Sequence, residues 1–259
     1  MKIYVSPNAE YLGMEAAGMT AGLLREAIEK DGKARLLLST GMSQFTTLSA
    51  LINIPDICWS KVEMFHLDEY IGLPMMHRAS FRRYLQERFI GPTGIQMVHY
   101  VDVTPDGIDR LNAELKKAPI HVGLIGIGQN AHVAFNDPPA DFETEEPYII
   151  VRLTDDCKRQ QISEGWFDSV DDVPSQAVTM SVKQIMKCQT IISAVPYREK
   201  AEAVSKVLSS SLTPEIPATV LKTHPDFHLF LDRDSFALTD AHNIVPAEGD
   251  TSVEMNLLY

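Results

Sequence analysis

The chain has 259 residues, 45% of them hydrophobic, which suits the core of one large α/β domain. Its formal net charge of -12, from 35 acidic against 23 basic residues, repels polyanions and anionic bilayers. Nucleic acid and membrane are thereby excluded as partners, while a small anion held by local groups is not. Cys58, Cys157 and Cys188 have neither zinc-site spacing nor the density of a disulfide framework. The opening MKIYVSPNAEYL has no apolar signal core, and no stretch is long enough to span a bilayer. The expectation is a cytoplasmic protein.

Ile3 to Val5 are a predicted strand, and Pro7-Asn8 open a helix with Leu12, Ala16, Met19, Leu23 and Ala27 at helical spacing, stopped at Gly32. Arg35 to Ser39 are a second strand. Thr40-Gly41-Met42-Ser43 then turn into a helix bearing Phe45, Leu48 and Leu51. Free N–H groups there, with the hydroxyls of Thr40, Ser43, Thr46 and Thr47, suit a phosphate, although an ordinary helix cap has the same pattern. The turn lacks the second glycine and lysine of a P-loop. It also lacks the second glycine of a nucleophile elbow.

Val62 to Leu67 are a third strand running into Asp68-Glu69-Tyr70. In extended chain the two carboxylates point to opposite faces, so one can enter a cleft as a tuned proton acceptor while the other holds the loop. Helix capping or plain solvation is the alternative. His66 and Asp68 find no third metal ligand at useful spacing. Ser80 caps a helix with Phe81, Tyr84, Leu85 and Phe89, whose Arg82, Arg83 and Arg88 read as a solvated face. Met97 to Val101 are a strand and Gly107 to Lys117 a helix.

Ile120 to Pro139, IHVGLIGIGQNAHVAFNDPP, begins as an apolar run typical of a strand buried on both faces and ends in glycines and polar groups. Gly126 and Gly128 allow close backbone approach to a ligand. Asn130 stands two residues before His132 and Asp137 five after it, a pattern that can orient and tune an imidazole. Gly126 to Ala131 satisfies a dinucleotide pattern, but Pro138-Pro139 leave no room for the required helix.

Asp141 to Glu146 read as a mobile acidic loop near the site, Tyr148 to Leu153 as a strand, and Asp156 to Glu164 as a helix. Strands follow at Gln176 to Met180 and Thr190 to Val195, the latter leading into Lys200 at a helix start. A lysine there opposes the helix dipole unless an anion meets it, which makes Lys200 a phosphate candidate. Asp226 to Leu231 are the last strand, and His224 and His228 complete no metal spacing. The tail turns apolar at Leu257 and Leu258, and nothing divides 1–259 into separate domains. Alternating strands and helices predict an α/β fold, a single modified doubly wound, Rossmann-like, mostly parallel sheet with helices on both faces. Ligands then bind at the strands' carboxyl ends.

From Ser39 to Asp232 the chain resembles the glucosamine-6-phosphate deaminase (isomerase) family, related to the 6-phosphogluconolactonases. The carriers are Ser39-Thr40-Gly41 with Thr46-Thr47, Leu67 to Leu73, the glycine-histidine stretch ending AFNDP, Lys200-Ala201, and Leu221 to Pro225. Tyr70-Ile71-Gly72-Leu73 and Ala134-Phe135-Asn136 match the deaminase branch. The resemblance implies conversion of a hexosamine 6-phosphate to the ketose phosphate and ammonia without a cofactor or metal, with glucosamine favoured over galactosamine. It implies Asp68 as the base at C2 and His132 as the ring-opening group, oriented by Asn130 and Asp137. Thr40, Gly41, Ser43 and Lys200 fall at phosphate-contact positions, with Met42 among them where the family's phosphate turn has its second glycine. The family's aspartate before the histidine is Asn130 here, its glutamate after is Asp137, and its phosphate arginine has no match, Arg159 being the nearest substitute. A lactonase needing His132 alone, or a sugar-phosphate sensor, are the rival expectations. Family members differ in oligomeric state, so a homo-oligomer is compatible with the sequence.

Overall fold

The computed structural model describes residues 1–246 and 253–257. Eleven strands are found among them: β1 (Lys2–Ser6), β2 (Ala34–Leu38), β3 (Val62–His66), β4 (Asp68–Tyr70), β5 (Met97–His99), β6 (Val122–Leu124), β7 (Tyr148–Arg152), β8 (Gln176–Met180), β9 (Thr190–Val195), β10 (Phe227–Asp232) and β11 (Glu254–Leu257). Eight form one sheet in the order β11-β1-β10-β9-β6-β2-β3-β5, every pairing parallel. The predicted mostly parallel sheet is therefore present. It gains an edge strand from the tail, where Leu257 lies in β11; Leu258 is outside the described residues.

Both faces of the sheet are covered. Alternate residues of one strand enter different cores: Leu36 and Leu38 pack with Leu12, Ala16 and Leu24 of the helix Ala9–Asp31, and Leu37 packs with Ile125 and Ile191 on the other side. Period-two alternation between two apolar environments is why these strands read as unbroken hydrophobic runs. No helix among the described residues is long and apolar enough to cross a membrane.

The chain order sets the site. After β2 the strands step outward through β3 to β5; the chain then returns to β6 beside β2 and steps the other way through β9 to β10. Connections leaving adjacent β2 and β6 thus diverge, which opens a crevice at their carboxyl ends. Ser39 N donates to the Leu124 carbonyl and Gly126 N to Ser39 Oγ at 3.1 Å, tying the two strand ends together.

The expected strands at 148–153 and 176–180 form, but they pair outside the main sheet. They make a second, antiparallel sheet, β4-β8-β7, whose first strand is Asp68–Tyr70 rather than a loop. Alternation along β4 sends Asp68 and Glu69 to opposite sides, as their adjacency predicts. Glu69, fully buried, accepts from Ser80 Oγ at 3.0 Å, from the backbone N–H of Arg82 at 2.9 Å and from Arg82 Nε at 3.2 Å. Arg82 is accordingly no solvated residue, and Arg88 stacks over the Phe45 ring at 3.9 Å. Only Arg83, paired with Glu87, behaves as an ordinary surface arginine. The acidic segment 141–146 is tied to the surface, Lys183 bridging Glu143 and Glu145.

Glu69→Ala leaves Arg82 and several buried donors without their acceptor. Denaturant unfolding should show a loss of about 3–5 kcal/mol, as for other broken buried ion pairs.

Candidate active site

The crevice is a cavity of about 470 Å³ lined from the ends of β2, β3, β6 and β9 and from the 160–166 segment. On the β2 side the chain turns at Gly41, whose φ of 101° suits a residue without a side chain, into a short helical turn Met42–Gln44 and the helix Phe45–Leu51. The N–H groups of Thr40, Gly41, Met42 and Ser43 have no acceptor among the described residues. Tyr84 Oη donates to the Gly41 carbonyl at 3.0 Å and steadies the turn. Thr46 and Thr47, expected to help with a phosphate, have buried hydroxyls without a partner among the described residues and do not line the cavity. Lys200 enters from the end of β9, 8% exposed; burial pulls its pKa down, while Glu164 and Glu199 act in the opposite direction.

Asp68 stands in the wall at 5% exposure. Its carboxyl makes no hydrogen bond among the described residues, unlike that of Glu69 beside it. Burial, with the nearby Glu69 charge second, raises its pKa well above the ordinary 3.8. A carboxyl kept basic and unengaged is suited to accept a proton at near-neutral pH.

His132 sits in a turn whose neighbours Ala131 and Ala134 are left-handed, at φ 65° and 54°. Such conformations cost roughly 1–3 kcal/mol each for residues other than glycine and persist where surrounding contacts impose them. Here Gly128 N donates to the His132 carbonyl, Ala218 N to the Ala131 carbonyl, and Phe135 N to Thr179 Oγ1 at 3.1 Å. His132 Nδ1 lies 2.5 Å from Asn130 Oδ1 and 3.3 Å from Asp137 Oδ1. Two oxygen acceptors place the proton on Nδ1 and leave Nε2 for a ligand. Asn130 Nδ2 donates to Asp137, which also accepts from Thr154 Oγ1 at 2.8 Å. Burial opposes ionisation of Asp137, but the donors His132, Thr154 and Asn130 outweigh it and its pKa falls. Gly128 is needed for the imidazole as well as for backbone approach: a Cβ there would lie 2.2 Å from His132 Cε1.

A family model described as glucosamine-6-phosphate isomerases/6-phosphogluconolactonase matches residues 7–229. The chain belongs to this family. Among relatives, the glucosamine-6-phosphate deaminase of Staphylococcus epidermidis is 33% identical over 224 residues, 82% of this chain and 90% of the relative. That of Thermoanaerobacter pseudethanolicus is 30% identical over 248 residues, 92% and 95% of the two chains. A solved monomeric glucosamine-6-phosphate deaminase superposes with a TM-score of 0.84 at 27% identity, covering 92% of this chain and 100% of the other. A 6-phosphogluconolactonase from Thermotoga maritima, at 16% identity and a TM-score of 0.73 and covering 90% of this chain and 100% of the other, shares the fold.

Within this glucosamine-6-phosphate isomerase/6-phosphogluconolactonase framework, the cavity gathers Thr40, Gly41, Met42, Ser43, Asp68, His132 and Lys200. Asn130 and Asp137 stand behind the histidine. Arg159 is not brought in: its side chain is 62% exposed and pairs with Asp156 at 2.8 Å. The exposed outer side of the helix Asp155–Ser163 carries it, while Gln160 and Gln161 of the same helix face the cavity. Sequence reasoning passed over Tyr84, Thr154, Thr179 and the 160–166 wall. Thr154 carried a signal, since it caps that helix, but only the fold puts its hydroxyl on Asp137.

Gly128→Ala should displace the imidazole and lower kcat by about 100-fold or more while the protein stays folded, as checked by steady-state kinetics beside a melting curve. Asp68→Asn should raise Tm at neutral pH. Because the folded pKa of Asp68 is raised, the native state holds its proton where the unfolded chain releases it. Stability from this group is complete below the ordinary 3.8 and is lost as pH rises through the raised folded value. The gain in Tm from the substitution should therefore shrink towards zero in acid.

Proposed function

We propose that the protein is a hexosamine-6-phosphate deaminase acting on glucosamine 6-phosphate, with galactosamine 6-phosphate second. The observation that carries this reading is the buried, unengaged Asp68 carboxyl in the same cavity as a histidine whose Nδ1 is already occupied. Lactone hydrolysis needs a base for water but no second base at a carbon acid. The names of the relatives at 30–33% identity support the same choice.

In this mechanism the turn at Thr40 to Ser43 and Lys200 hold the phosphate, the first with N–H donors and the second with charge. His132 Nε2 takes the proton of the C1 hydroxyl and passes it to the ring oxygen, opening the sugar to its aldehyde. Asp68 takes the proton from C2 as its electron pair forms the C1–C2 double bond of an enolamine and the carbonyl oxygen gains the proton that the ammonium group loses; Asp68 then returns its proton to C1, giving the C2 imine. Water then adds to the C2 imine and ammonia leaves, giving the ketose 6-phosphate. Asp137, ionised beside the ring, supplies the charge that Asn130 lacks when the imidazole is protonated; Asn130 keeps the geometry.

Ammonia release from glucosamine 6-phosphate is the direct test, with 6-phosphogluconolactone hydrolysis assayed in parallel. Asp68→Asn should lower kcat by about 10²- to 10⁴-fold, the usual range for a general base. The acidic limb of kcat/KM should lie above 3.8, because Asp68 must lose its proton to act and its pKa is raised. Lactone hydrolysis that survives the substitution, with no ammonia formed, would sink the proposal.

A further inference from the structure

One wall of the cavity has no part in the steps above. Gln160 and Glu164, with Trp166 just beyond, come from the end of the helix Asp155–Ser163 and the turn after it, and all three line the cavity. Glu164 Oε1 accepts from Gln160 Nε2 at 2.8 Å, and Oε2 accepts from Trp166 Nε1 at 3.2 Å. Each carboxylate oxygen therefore has one neutral donor and spare lone pairs. These donors fix the carboxylate's direction without cancelling its charge.

The placement is unfavourable for binding an anion alone. Apart from His132, Lys200 is the basic side chain of the cavity lining, and Glu164 acts on it electrostatically together with Glu199. A carboxylate near the phosphate position weakens phosphate binding by like-charge repulsion. An oriented carboxylate beside a half-buried indole is, however, well matched to a sugar ring. Hydroxyl groups donate to the carboxylate, and the ring's C–H face packs on the aromatic surface.

We propose that Glu164 is a specificity-determining residue that accepts hydrogen bonds from ring hydroxyls of the sugar phosphate. Trp166 covers the ring, and Gln160 is a positioning residue for the carboxylate. This inference rests on the sugar-phosphate reading of the cavity and is independent of whether ammonia is released.

The test is calorimetric titration in an Asp68→Asn background, which slows turnover, using inorganic phosphate, glucose 6-phosphate and glucosamine 6-phosphate. Glu164→Gln should weaken both sugar phosphates about tenfold or more and tighten inorganic phosphate about two- to fivefold, since Lys200 loses a competing charge. Gln160→Ala should weaken the sugar phosphates about threefold and leave inorganic phosphate unchanged, a smaller effect because the carboxylate loses one of two supports. A collapsed wall would move all three ligands in one direction, which overturns the proposal. Loss confined to glucosamine 6-phosphate also overturns it, because Glu164 would then read the ammonium group. Ammonia release by the unsubstituted protein is scored separately. If none is formed but the opposed shifts are seen, deamination fails and the role of Glu164 stands; if ammonia is formed and the affinities do not change, Glu164 alone is wrong.

Discussion

The cavity depends on one antiparallel pairing, that of β4 with β8. Its register sets Asp68 opposite Thr179, and Thr179 Oγ1 accepts the N–H of Phe135 from the histidine loop. Asn136 reinforces the link by donating to the Met180 carbonyl at 3.0 Å. A carboxylate and an imidazole from distant segments are thereby referred to one small rigid sheet. Positioning of this kind matters because proton transfer is sensitive to fractions of an ångström.

The neighbouring carboxylates of β4 divide two tasks. Glu69 is saturated with donors and anchors the strand to the segment that begins at Ser80. Asp68, on the other face, is buried without a hydrogen bond among the described residues, and its charge is destabilising. The stabilised member holds the destabilised one in place, a division expected where function requires a group in an unfavourable environment.

The histidine loop is held by a short chain of polar contacts. Asn130 carries no charge, but its amide bridges His132 to Asp137, which Thr154 also supports. Asp137 itself comes within 3.3 Å of the imidazole. Left-handed Ala134 and Tyr197 line the same cavity and left-handed Ala131 directly precedes His132, so three of the four strained residues among those described lie where side chains must be aimed, Asp56 being the exception.

The sequence by itself determined the layered sheet, because strands buried on both faces must be apolar throughout and the helices between them periodic. It also placed Asp68, His132, the turn at Gly41 and Lys200 at strand ends, where glycine, hydroxyl and charged residues interrupt the apolar pattern. Only the tertiary structure decided that Asp68–Tyr70 is a strand of a second sheet, that Arg82 is engaged by Glu69, and that Arg159 points away from the cavity. The Gln160–Glu164–Trp166 wall likewise came from the fold alone. Periodicity records which environment a residue prefers over a few positions. Contacts such as Thr154 with Asp137 or Thr179 with Phe135 join segments far apart in the chain, and their geometry exists only when the whole core has packed.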